Sequence, residues 1–337
     1  MKAIGYKIAG AIDRHDSLLD IDLPRPTPSA RDILVEVAAI SVNPVDTKVR
    51  KTVSAEQDQW KVLGWDAAGT VVDVGPEVVD FKVGDTVFYA GSLTRPGANS
   101  EFHLVDERIA GRKPTTLSNA QAAALPLTAI TAWEMLFDRL DIRKPVPGAA
   151  NAVVIIGGAG GVGSIAIQLV RALTDLTVIA TASRPETQDW VKSLGAHHVV
   201  DHSRPIAEQV AALGIGAPAF VFSTTETYRH LKEIIELISP QGRFGLIDDP
   251  ESLDVLGFKR KAVSVHWELM FTRSIFQTAD MDEQGKLLNQ VAQLIDSGKI
   301  RTTVTETLSP INAANLKTAH AKLESGKSKG KVVLEGF

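Results

Sequence analysis

The stretch that decides the fold runs from Ala152 to Gly163 and reads AVVIIGGAGGVG. Its apolar part, residues 152–156, predicts a buried strand, because a short apolar run that ends in glycines suits a strand covered on both faces. Gly158, Gly160 and Gly163 follow with the spacing GxGxxG, and residues 164–173 have the apolar spacing of a helix. This order of strand, glycine turn and helix predicts the first unit of a parallel α/β sheet.

The same glycines predict a phosphate-binding loop for a dinucleotide. We expect Gly158 to allow the tight turn, Gly160 to let the backbone approach a pyrophosphate, and Gly163 to let the helix pack on the sheet. Gly161 and Val162 belong to the same motif and are expected to bind the cofactor too. The motif leads into the N-terminus of the helix, whose free N–H groups and positive dipole end favour phosphate. A plain glycine-rich turn is the alternative, but the strand before it and the helix after it favour the dinucleotide interpretation.

Residues about twenty positions further on predict which dinucleotide binds. Folds that bind NAD place Asp or Glu at the end of the second strand, where it accepts from the ribose hydroxyls. This chain has Thr181-Ala-Ser183-Arg184 there, with no carboxylate. A hydroxyl and a guanidinium suit a 2′-phosphate, so we expect NADP(H), bound through Ser183 and Arg184. The alternative is that Arg184 is only solvated at the end of a strand.

The remaining patterns divide the chain into two kinds of region. Beyond residue 152 predicted strands alternate with helices, which is typical of a doubly wound parallel sheet of the Rossmann type; the strands are at 177–182, 198–201, 220–222 and 242–247, and the helices at 185–194 and 228–238. Short β-branched runs at either end of the chain indicate a compact β barrel; they are at 33–37, 69–75, 83–88, 304–308 and 331–334. Between them, a capping box at Ser118 and Gln121 opens a helical stretch from 120 to 140.

Length and composition limit the classes of protein to which this chain can belong. A chain of 337 residues exceeds what one hydrophobic core usually holds, so we expect two domains. The net charge of −4, with Lys and Arg scattered, argues against a nucleic-acid partner, and no apolar run is long enough to span a bilayer. The N-terminal residues lack the apolar core of a signal peptide, so we expect a cytoplasmic protein. The chain has no cysteine, which excludes thiolate chemistry and every zinc site built on cysteine.

Several further segments, in their order and spacing, resemble the medium-chain dehydrogenase/reductase superfamily, and within it the quinone-oxidoreductase branch. They are SVNPVDT (41–47), LGWDAAGTV (63–71), VGDTV (83–87), ALPLTAITAW (124–133) and GKVVL (330–334). The resemblance covers essentially the whole chain. It implies a GroES-like β-barrel catalytic domain at 1–128 and 274–337, a Rossmann NADP-binding domain at 129–273, a cofactor in the cleft between them, and a homodimer.

The chain departs from this superfamily at the zinc ligands. Zinc alcohol dehydrogenases of the superfamily place a Cys in the segment that matches residues 43–47, and a Gly-His-Glu motif where this chain has Gly64-Trp65-Asp66. Their four-Cys structural zinc lobe matches residues 91–99, which contain no cysteine here. A catalytic zinc needs three protein ligands and an open position. We therefore expect no metal site.

Without a metal, hydride transfer to a conjugated carbonyl or a quinone is less demanding than transfer to a simple ketone, because the developing charge delocalises onto an oxygen that hydrogen-bond donors can stabilise. The resemblance implies that Asn43 and Thr131 lie near the nicotinamide, where they position the carboxamide or polarise the substrate carbonyl. It also suggests Trp65 as a wall of the substrate pocket and Tyr89 as a proton donor. The alternatives are a turn residue for Asn43, a hydroxyl bonded back to its own helix for Thr131, and core packing for Trp65.

On the cofactor side, the resemblance places Ser223, Thr224 and Gly245 beneath the nicotinamide and ribose, and Lys331 on the phosphate side, although a solvated Lys331 is as good an interpretation. We interpret residues 266–268 (His-Trp-Glu) as an interface or pocket rim. The whole pattern predicts an NADPH-dependent oxidoreductase that transfers hydride to a small-molecule quinone or α,β-unsaturated carbonyl without a metal. The alternatives are an enoyl-thioester reductase, which would need a basic entrance that is not visible, and an NADPH-binding protein without turnover.

Overall fold

A computed structural model describes all residues from 1 to 337. The chain forms two compact units, unit 1 (Met1–Ile130 with Phe271–Phe337) and unit 2 (Thr131–Met270). From the sequence we expected the chain to change domain after residues 128 and 273. No helix combines the length and apolar character that crossing a membrane requires.

The strands are β1 (Lys2–Tyr6), β2 (Leu19–Asp22), β3 (Asp32–Ser41), β4 (Lys61–Val62), β5 (Ala67–Val74), β6 (Thr86–Tyr89), β7 (Phe102–Asp106), β8 (Ala110–Arg112), β9 (Ala150–Ile156), β10 (Thr177–Thr181), β11 (His198–Val200), β12 (Pro218–Ser223), β13 (Arg243–Leu246), β14 (Ser264–Trp267), β15 (Val304–Leu308) and β16 (Lys331–Glu335). The helices are α1 (Pro44–Thr52), α2 (Asn119–Ala123), α3 (Pro126–Trp133), α4 (Gly161–Leu173), α5 (Pro185–Ser193), α6 (Ile206–Ala212), α7 (Thr227–Leu237), α8 (Thr272–Phe276), α9 (Glu283–Asp296) and α10 (Ala313–Glu324).

Unit 2 is built on one parallel sheet of six strands, in the order β11-β10-β9-β12-β13-β14. This is the strand order 3-2-1-4-5-6 of a Rossmann fold, so the predicted doubly wound sheet is confirmed. The deciding stretch forms β9, which lies in the middle of the sheet, and its residues from Val153 to Ile156 are almost fully buried. Ligands of such sheets bind at the carboxyl ends of the strands, where the chain reverses its strand order. Here that place is the end of β9, between β10 and β12.

Unit 1 is β-rich. Seven strands form one sheet in the order β15-β16-β3-β5-β6-β8, with β7 also paired to β3, and β2, β1 and β4 form a second, smaller sheet. The central strand β3 pairs antiparallel with β16, β5 and β7, so the last strand of the chain is joined to one near its beginning. The discontinuous β-rich domain expected from the sequence is therefore present in the sheet itself.

The helical stretch expected from residue 120 to 140 is not continuous. Ser118 and Gln121 form the expected capping box at the start of α2, but α2 ends at Ala123. Pro126 then begins α3, because proline lacks the N–H that a helix interior needs and fits the first turn instead. After Trp133 the helix widens into a π-helical turn, Glu134–Arg139, for which the sequence shows no local signal.

Candidate functional site

The glycine loop of unit 2 connects β9 to α4. The residue with a positive φ in this loop is Gly157, at 77°. The tight turn, which we expected at Gly158, therefore lies one residue earlier. A Cβ on Gly158 would lie 2.9 Å from the Cβ of Ala180, and a Cβ on Gly163 would lie 2.4 Å from the carbonyl oxygen of Gly157. The absence of side chains at both positions therefore lets the loop, the sheet and the helix approach one another closely.

The other side of the loop is open. A Cβ on Gly160 would meet only the carbonyl oxygen of Gly157, at 3.4 Å. Gly160 is the N-cap residue of α4 and brings no side chain to cap the helix. The N–H groups of Gly161, Val162 and Gly163 in the first turn have no acceptor inside the helix. The loop thus combines unused donors with the positive end of a helix dipole, an arrangement that fits a pyrophosphate.

The end of β10 supports the glycine loop. The hydroxyl of Thr181 accepts from the N–H of Gly157 at 3.0 Å, and its carbonyl accepts from the N–H of Gly158 at 3.2 Å. Two residues later, Ser183 is half-buried and Arg184 is the N-cap residue of α5. Both predicted phosphate-binding residues therefore lie just beyond the end of the strand that supports the loop.

Arg184 has an acidic neighbour that the sequence interpretation did not include. Its Nε lies 3.1 Å from Oε1 of Glu186, and the guanidinium side chain is 38% exposed. An exposed ion pair of this kind contributes little and exchanges readily. Arg184 can therefore turn from Glu186 to a more highly charged anion.

A hydroxyl–carboxylate network joins the ends of β12 and β13. The hydroxyl of Ser223, which is fully buried, lies 2.8 Å from that of Thr227. Asp248, just after β13, accepts from the N–H of Thr227 at 2.8 Å and from its hydroxyl at 2.5 Å. Thr224 donates to the carbonyl of Ile156 at 2.9 Å. Asp248 and Thr227 were not predicted from the sequence, although a carboxylate just after a Rossmann strand is a signal that could have identified Asp248.

Gly245 lies inside β13 and is buried. A Cβ at this position would lie 2.1 Å from the sulfur of Met135 in the π-helical turn. Close packing of the strand on that turn therefore explains the glycine. The expected place of Gly245 beneath the nicotinamide stays a prediction.

In unit 1, four polar residues form a buried group that we call the Asp–Lys cluster: Asn43, Asp46, Asp66 and Lys331. The ammonium of Lys331 donates to Oδ2 of Asp66 at 3.1 Å, to the carbonyl of Val42 at 2.8 Å and to Oδ1 of Asn43. All three N–H groups of this buried lysine are used within unit 1. This arrangement leaves Lys331 no donor for the cofactor phosphate that we expected it to reach.

Asn43 is likewise bonded within the cluster. Its Nδ2 donates to Asp66 at 2.8 Å, and its Oδ1 accepts from Lys331. Its backbone N–H donates to Asp46 at 2.8 Å, at the start of α1. Nδ2 also donates to the carbonyl of Ser41 at 3.4 Å. The proposed contact of Asn43 with substrate or carboxamide stays a prediction, and a donor for it requires one of these Nδ2 bonds to open.

The two carboxylates of the cluster accept from the backbone as well. Asp46 accepts from the N–H of Gly64 at 3.0 Å, and Asp66 accepts at 2.7 Å from the N–H of Leu127, in the first turn of α3. Burial raises the pKa of Asp46 to about 7, although the N–H of Asn43 and the charge of Lys331 lower it. Burial also raises the pKa of Asp66. The sequence analysis noted Asp66 only as a departure from a zinc motif, whereas the structure makes it the acceptor that joins β5, α3 and β16.

Trp65 packs inside unit 1. Its indole N–H donates to the carbonyl of Ser92 at 3.1 Å, and its ring meets that of Phe271 edge to face, with 6.1 Å between the ring centroids. Only 2% of Trp65 is exposed. These contacts agree with the core-packing alternative, and a wall of the substrate pocket stays a prediction.

Tyr89 is fully buried and stacks on His103, with 5.5 Å between the ring centroids. Its hydroxyl lies 3.1 Å from Nδ1 of His103, whose Nε2 lies 2.9 Å from the carbonyl of Pro96. A carbonyl only accepts, so Nε2 carries the ring hydrogen and Tyr89 donates to Nδ1. Burial raises the pKa of Tyr89 far above its usual range and lowers that of His103 to about 4. The proton that we expected Tyr89 to donate to substrate is thus held by a buried base.

Thr131 lies in α3 and is 5% exposed. Its proposed contact with the nicotinamide or the substrate carbonyl stays a prediction. Unit 1 has a mainly apolar cavity of about 250 Å³, whose walls include Leu23, Pro24, Val62, Phe102 and Leu104. None of the four predicted catalytic residues lines this cavity.

The residues at the positions of the zinc ligands do not fit a metal. The indole N–H of Trp65 is a donor only, and the carboxylate of Asp66 already accepts from Asn43, Leu127 and Lys331. No group of three or more His, Cys, Asp or Glu side chains is placed to hold a metal ion. A catalytic zinc would need three such ligands and an open position.

The chain matches two family models, the alcohol dehydrogenase GroES-like domain over residues 29–115 and the zinc-binding dehydrogenase domain over residues 194–334. It is 39% identical to a zinc-type alcohol dehydrogenase-like protein of Staphylococcus aureus over 336 residues, which cover 99% of both chains.

Solved structures show the same fold. A crystal structure from Rhizobium etli, described as a candidate zinc-dependent alcohol dehydrogenase, is 68% identical, with a TM-score of 0.99 and coverage of 100% of this chain and 98% of that one. A quinone oxidoreductase of Pseudomonas syringae is 26% identical, with a TM-score of 0.82 and coverage of 99% of each chain. These likenesses confirm the GroES-like domain that the resemblance implied.

Proposed function

Because the chain belongs to the medium-chain dehydrogenase/reductase superfamily, in its quinone-oxidoreductase branch, we propose that it is an NADPH-dependent oxidoreductase that reduces a quinone or an α,β-unsaturated carbonyl without a metal. One observation carries this proposal. The carboxyl ends of the parallel strands present an open glycine loop beside Arg184, where folds that bind NAD have a carboxylate. When bound, NADPH supplies the hydride.

The residues around the loop bind and orient the cofactor. The N–H groups of Gly161, Val162 and Gly163, with the dipole of α4, hold the pyrophosphate, because free donors and a positive helix end favour a negative charge. Arg184 exchanges Glu186 for the 2′-phosphate, with Ser183 as a second donor. Thr224 and Ser223 lie at the end of the next strand, on the side that we assign to the nicotinamide ribose.

Donors that stabilise an oxygen anion carry the chemical step on the protein side. As hydride reaches the β-carbon of an enone or a quinone carbonyl, negative charge collects on an oxygen, and each donor aimed at that oxygen lowers the barrier. We assign Thr131 to this task, and Asn43 to it only if its Nδ2 bond to Asp66 or to Ser41 opens.

The cofactor assignment is tested by dissociation constants. A charge-assisted hydrogen bond to the 2′-phosphate is worth about 1.5–3 kcal/mol, so we expect NADPH to bind about ten- to a hundredfold more tightly than NADH. Arg184→Ala should weaken NADPH binding and leave NADH binding almost unchanged, and Arg184→Asp should weaken NADPH binding further. Arg260→Ala, an exposed arginine of the same unit, is the matched control. Equal affinities in the wild type, or a parallel loss for both cofactors in Arg184→Ala, would refute the assignment.

The substrate class is tested by steady-state oxidation of NADPH with a small quinone, a panel of enones and an enoyl thioester. Turnover of the quinone or the free enones supports the proposal. Turnover of the thioester alone identifies an enoyl-thioester reductase, and tight NADPH binding without any turnover identifies a non-catalytic binding protein.

We also propose that the activity does not depend on zinc, because the zinc-ligand positions hold residues that do not fit the metal. The purified protein should contain less than stoichiometric zinc and keep its activity after chelation. One tightly bound zinc per chain, with activity lost on its removal, would overturn this part of the proposal.

We propose further that the protein forms a homodimer. Strand β14 is the edge of the six-stranded sheet, and its Trp267 is 54% exposed. An unpaired edge with a large exposed aromatic residue favours pairing with another chain. Light scattering should give twice the mass of one chain, and Trp267→Lys should give a single chain.

A further inference from the structure

Two acidic side chains lie buried against each other in unit 2, and we call them the carboxyl pair: Glu134 and Glu268. Glu134 begins the π-helical turn and is 1% exposed, whereas Glu268 directly follows β14 and is 4% exposed. Their carboxyl groups are close enough for a hydrogen bond once one of them carries a proton. From the sequence we expected no role for Glu134, and we interpreted residues 266–268, which include Glu268, as an interface or pocket rim.

Glu268 has too few partners for a buried negative charge. Nε of Arg139 lies 2.8 Å from Oε2 of Glu268, and its side chain is 35% exposed. Neither oxygen of Glu268 accepts a directed hydrogen bond from an N–H or hydroxyl group, so the contact with Arg139 is an ion pair only. His266 on β14 is titratable and lies near both Arg139 and Arg243, the latter on β13.

Glu107 in unit 1 shows how a buried glutamate is satisfied when donors are present. Its carboxylate accepts from the guanidinium of Arg31 at 2.8 Å and from the N–H groups of Val79 and Asp80 at 2.9 Å and 2.8 Å. Glu268 has no such donors. A buried carboxylate without hydrogen bonds is strongly unfavourable, so the donor that it lacks must come from the carboxyl group beside it.

We infer that Glu268 is protonated at neutral pH and shares this proton with Glu134 in a hydrogen bond, and that this hydrogen bond positions the helix that carries Thr131. The second half of the inference rests on the proposed function of Thr131. Burial and the neighbouring Glu134 raise the pKa of Glu268 to about 8, against the charge of Arg139, which lowers it.

The link to Thr131 follows from the chain path. Thr131 lies three residues before Glu134, one turn away in the same continuous helical stretch. Glu268 is held to the end of β13, because its N–H donates to the carbonyl of Leu246 at 3.1 Å. The shared proton therefore ties this helical stretch to the edge of the sheet. Its loss leaves two like charges in contact, which push the start of the π-helical turn away from β14.

The proton is tested directly by infrared spectroscopy, without substrate. The wild-type protein should show the C=O band of a protonated carboxyl group at pH 6.5, which disappears as the pH rises through about 8. Because Asp46 also has a raised pKa, the band is assigned from the difference between wild type and Glu268→Gln, and checked with Glu134→Gln. Glu208→Gln, an exposed glutamate of unit 2, should leave the band unchanged. The absence of a band that both pair variants remove would overturn the inference.

Stability gives a second readout that does not depend on activity. The pKa of Glu268 is higher in the folded protein than in the unfolded chain, so its stabilising effect is full below pH 4.5 and is lost as the pH rises towards 8. The unfolding constant of the wild type, divided by that of Glu268→Gln, should rise about tenfold per pH unit across this window. A ratio that stays constant would also overturn the shared proton.

The positioning role is tested by the pH profile of kcat with whichever acceptor is turned over. Wild-type kcat should fall as the pH rises through about 8, whereas Glu268→Gln, whose amide keeps donating to Glu134 at all pH values, should keep its kcat. The same alkaline fall in both proteins would refute the positioning role while leaving the infrared result intact. If no acceptor is turned over, the proposed function fails. The infrared and unfolding measurements still decide whether the carboxyl pair shares a proton. The helical position of Thr131 is then read from its amide exchange rate against pH, which should rise through pH 8 only in the wild type.

Discussion

The Asp–Lys cluster of unit 1 and the carboxyl pair of unit 2 present the same problem, two buried carboxyl groups beside one cation, and they solve it differently. Asp46 and Asp66 each accept at least two hydrogen bonds, including backbone N–H groups at the start of α1 and α3. Glu268 has only an ion pair to a half-exposed arginine. The backbone N–H groups lower the pKa values that burial raises for Asp46 and Asp66, whereas the oxygens of Glu268 accept no such hydrogen bond.

The largest expected effect comes from removing the cation of the Asp–Lys cluster. Lys331→Met leaves Asp66 without its countercharge, and breaking a buried pair in this way costs about 3–5 kcal/mol. Urea unfolding should show this loss. Lys299→Met, an exposed lysine of the same unit, should change stability by less than about 0.5 kcal/mol. A loss below about 1 kcal/mol in Lys331→Met would show that the backbone donors alone support both carboxylates.

The second-largest effect is expected on turnover, and it should distinguish Thr131 in unit 2 from Asn43 in the Asp–Lys cluster. Thr131→Val removes one donor to the developing oxyanion, which typically costs about 3 kcal/mol, or roughly a hundredfold in kcat. We expect stability and NADPH affinity to change little. Asn43→Ala should lower stability as well as kcat, because it removes partners of Asp66 and Lys331. Near-wild-type turnover in Thr131→Val would return this hydroxyl to a structural role.

The stability that His320 contributes changes with pH in the opposite direction to the stability that the carboxyl pair contributes. In unit 1, Arg50 donates to Nδ1 of buried His320 at 3.3 Å, so the ring hydrogen is on Nε2, which has no partner. Burial lowers the pKa of His320 to about 3. Because the unfolded chain binds this proton near pH 6.5, stability is present above that pH and falls as the pH drops towards 3.

His320→Gln removes this proton site. Relative to the variant, the wild type should lose about 1.4 kcal/mol per pH unit below pH 6.5, or about 2 kcal/mol by pH 5. His103, whose pKa is also lowered, continues to contribute in the variant. His15→Gln, at an exposed position, is the control and should leave the slope unchanged. Identical slopes for wild type and His320→Gln in urea unfolding at several pH values would contradict the assignment.

Local patterns predicted much of unit 2. The run from Ala152 to Ile156, the glycines and the helix after them occur in the predicted order, because a strand covered on both faces and a tight turn both require particular residues in sequence. The predicted position of the tight turn is wrong by one residue, since Gly157 rather than Gly158 has the positive φ. Pro126 indicates the break between α2 and α3, but the apolar periodicity alone predicted one continuous helical stretch.

The predicted site was harder to read than the fold. Arg184 lies at the end of β10 as its place in the motif indicates, yet Glu186 beside it changes its charge balance. Lys331 is bonded inside the Asp–Lys cluster rather than free for a phosphate, because a lysine in a closing strand meets whichever acceptors the paired strand brings. The sequence contains no pattern that marks those acceptors in advance.

The sequence by itself determined the parallel sheet, the open glycine loop and the absence of any cysteine ligand, because each depends on residues that are neighbours in the chain or on composition alone. Only the tertiary structure decided which buried charges have partners. Lys331 meets Asp66 across 265 positions of sequence, and Glu268 meets Glu134 through a strand edge and a π-helical turn. Hydrogen bonds act over about 3 Å, so their partners are set by how the elements pack and not by the order of residues.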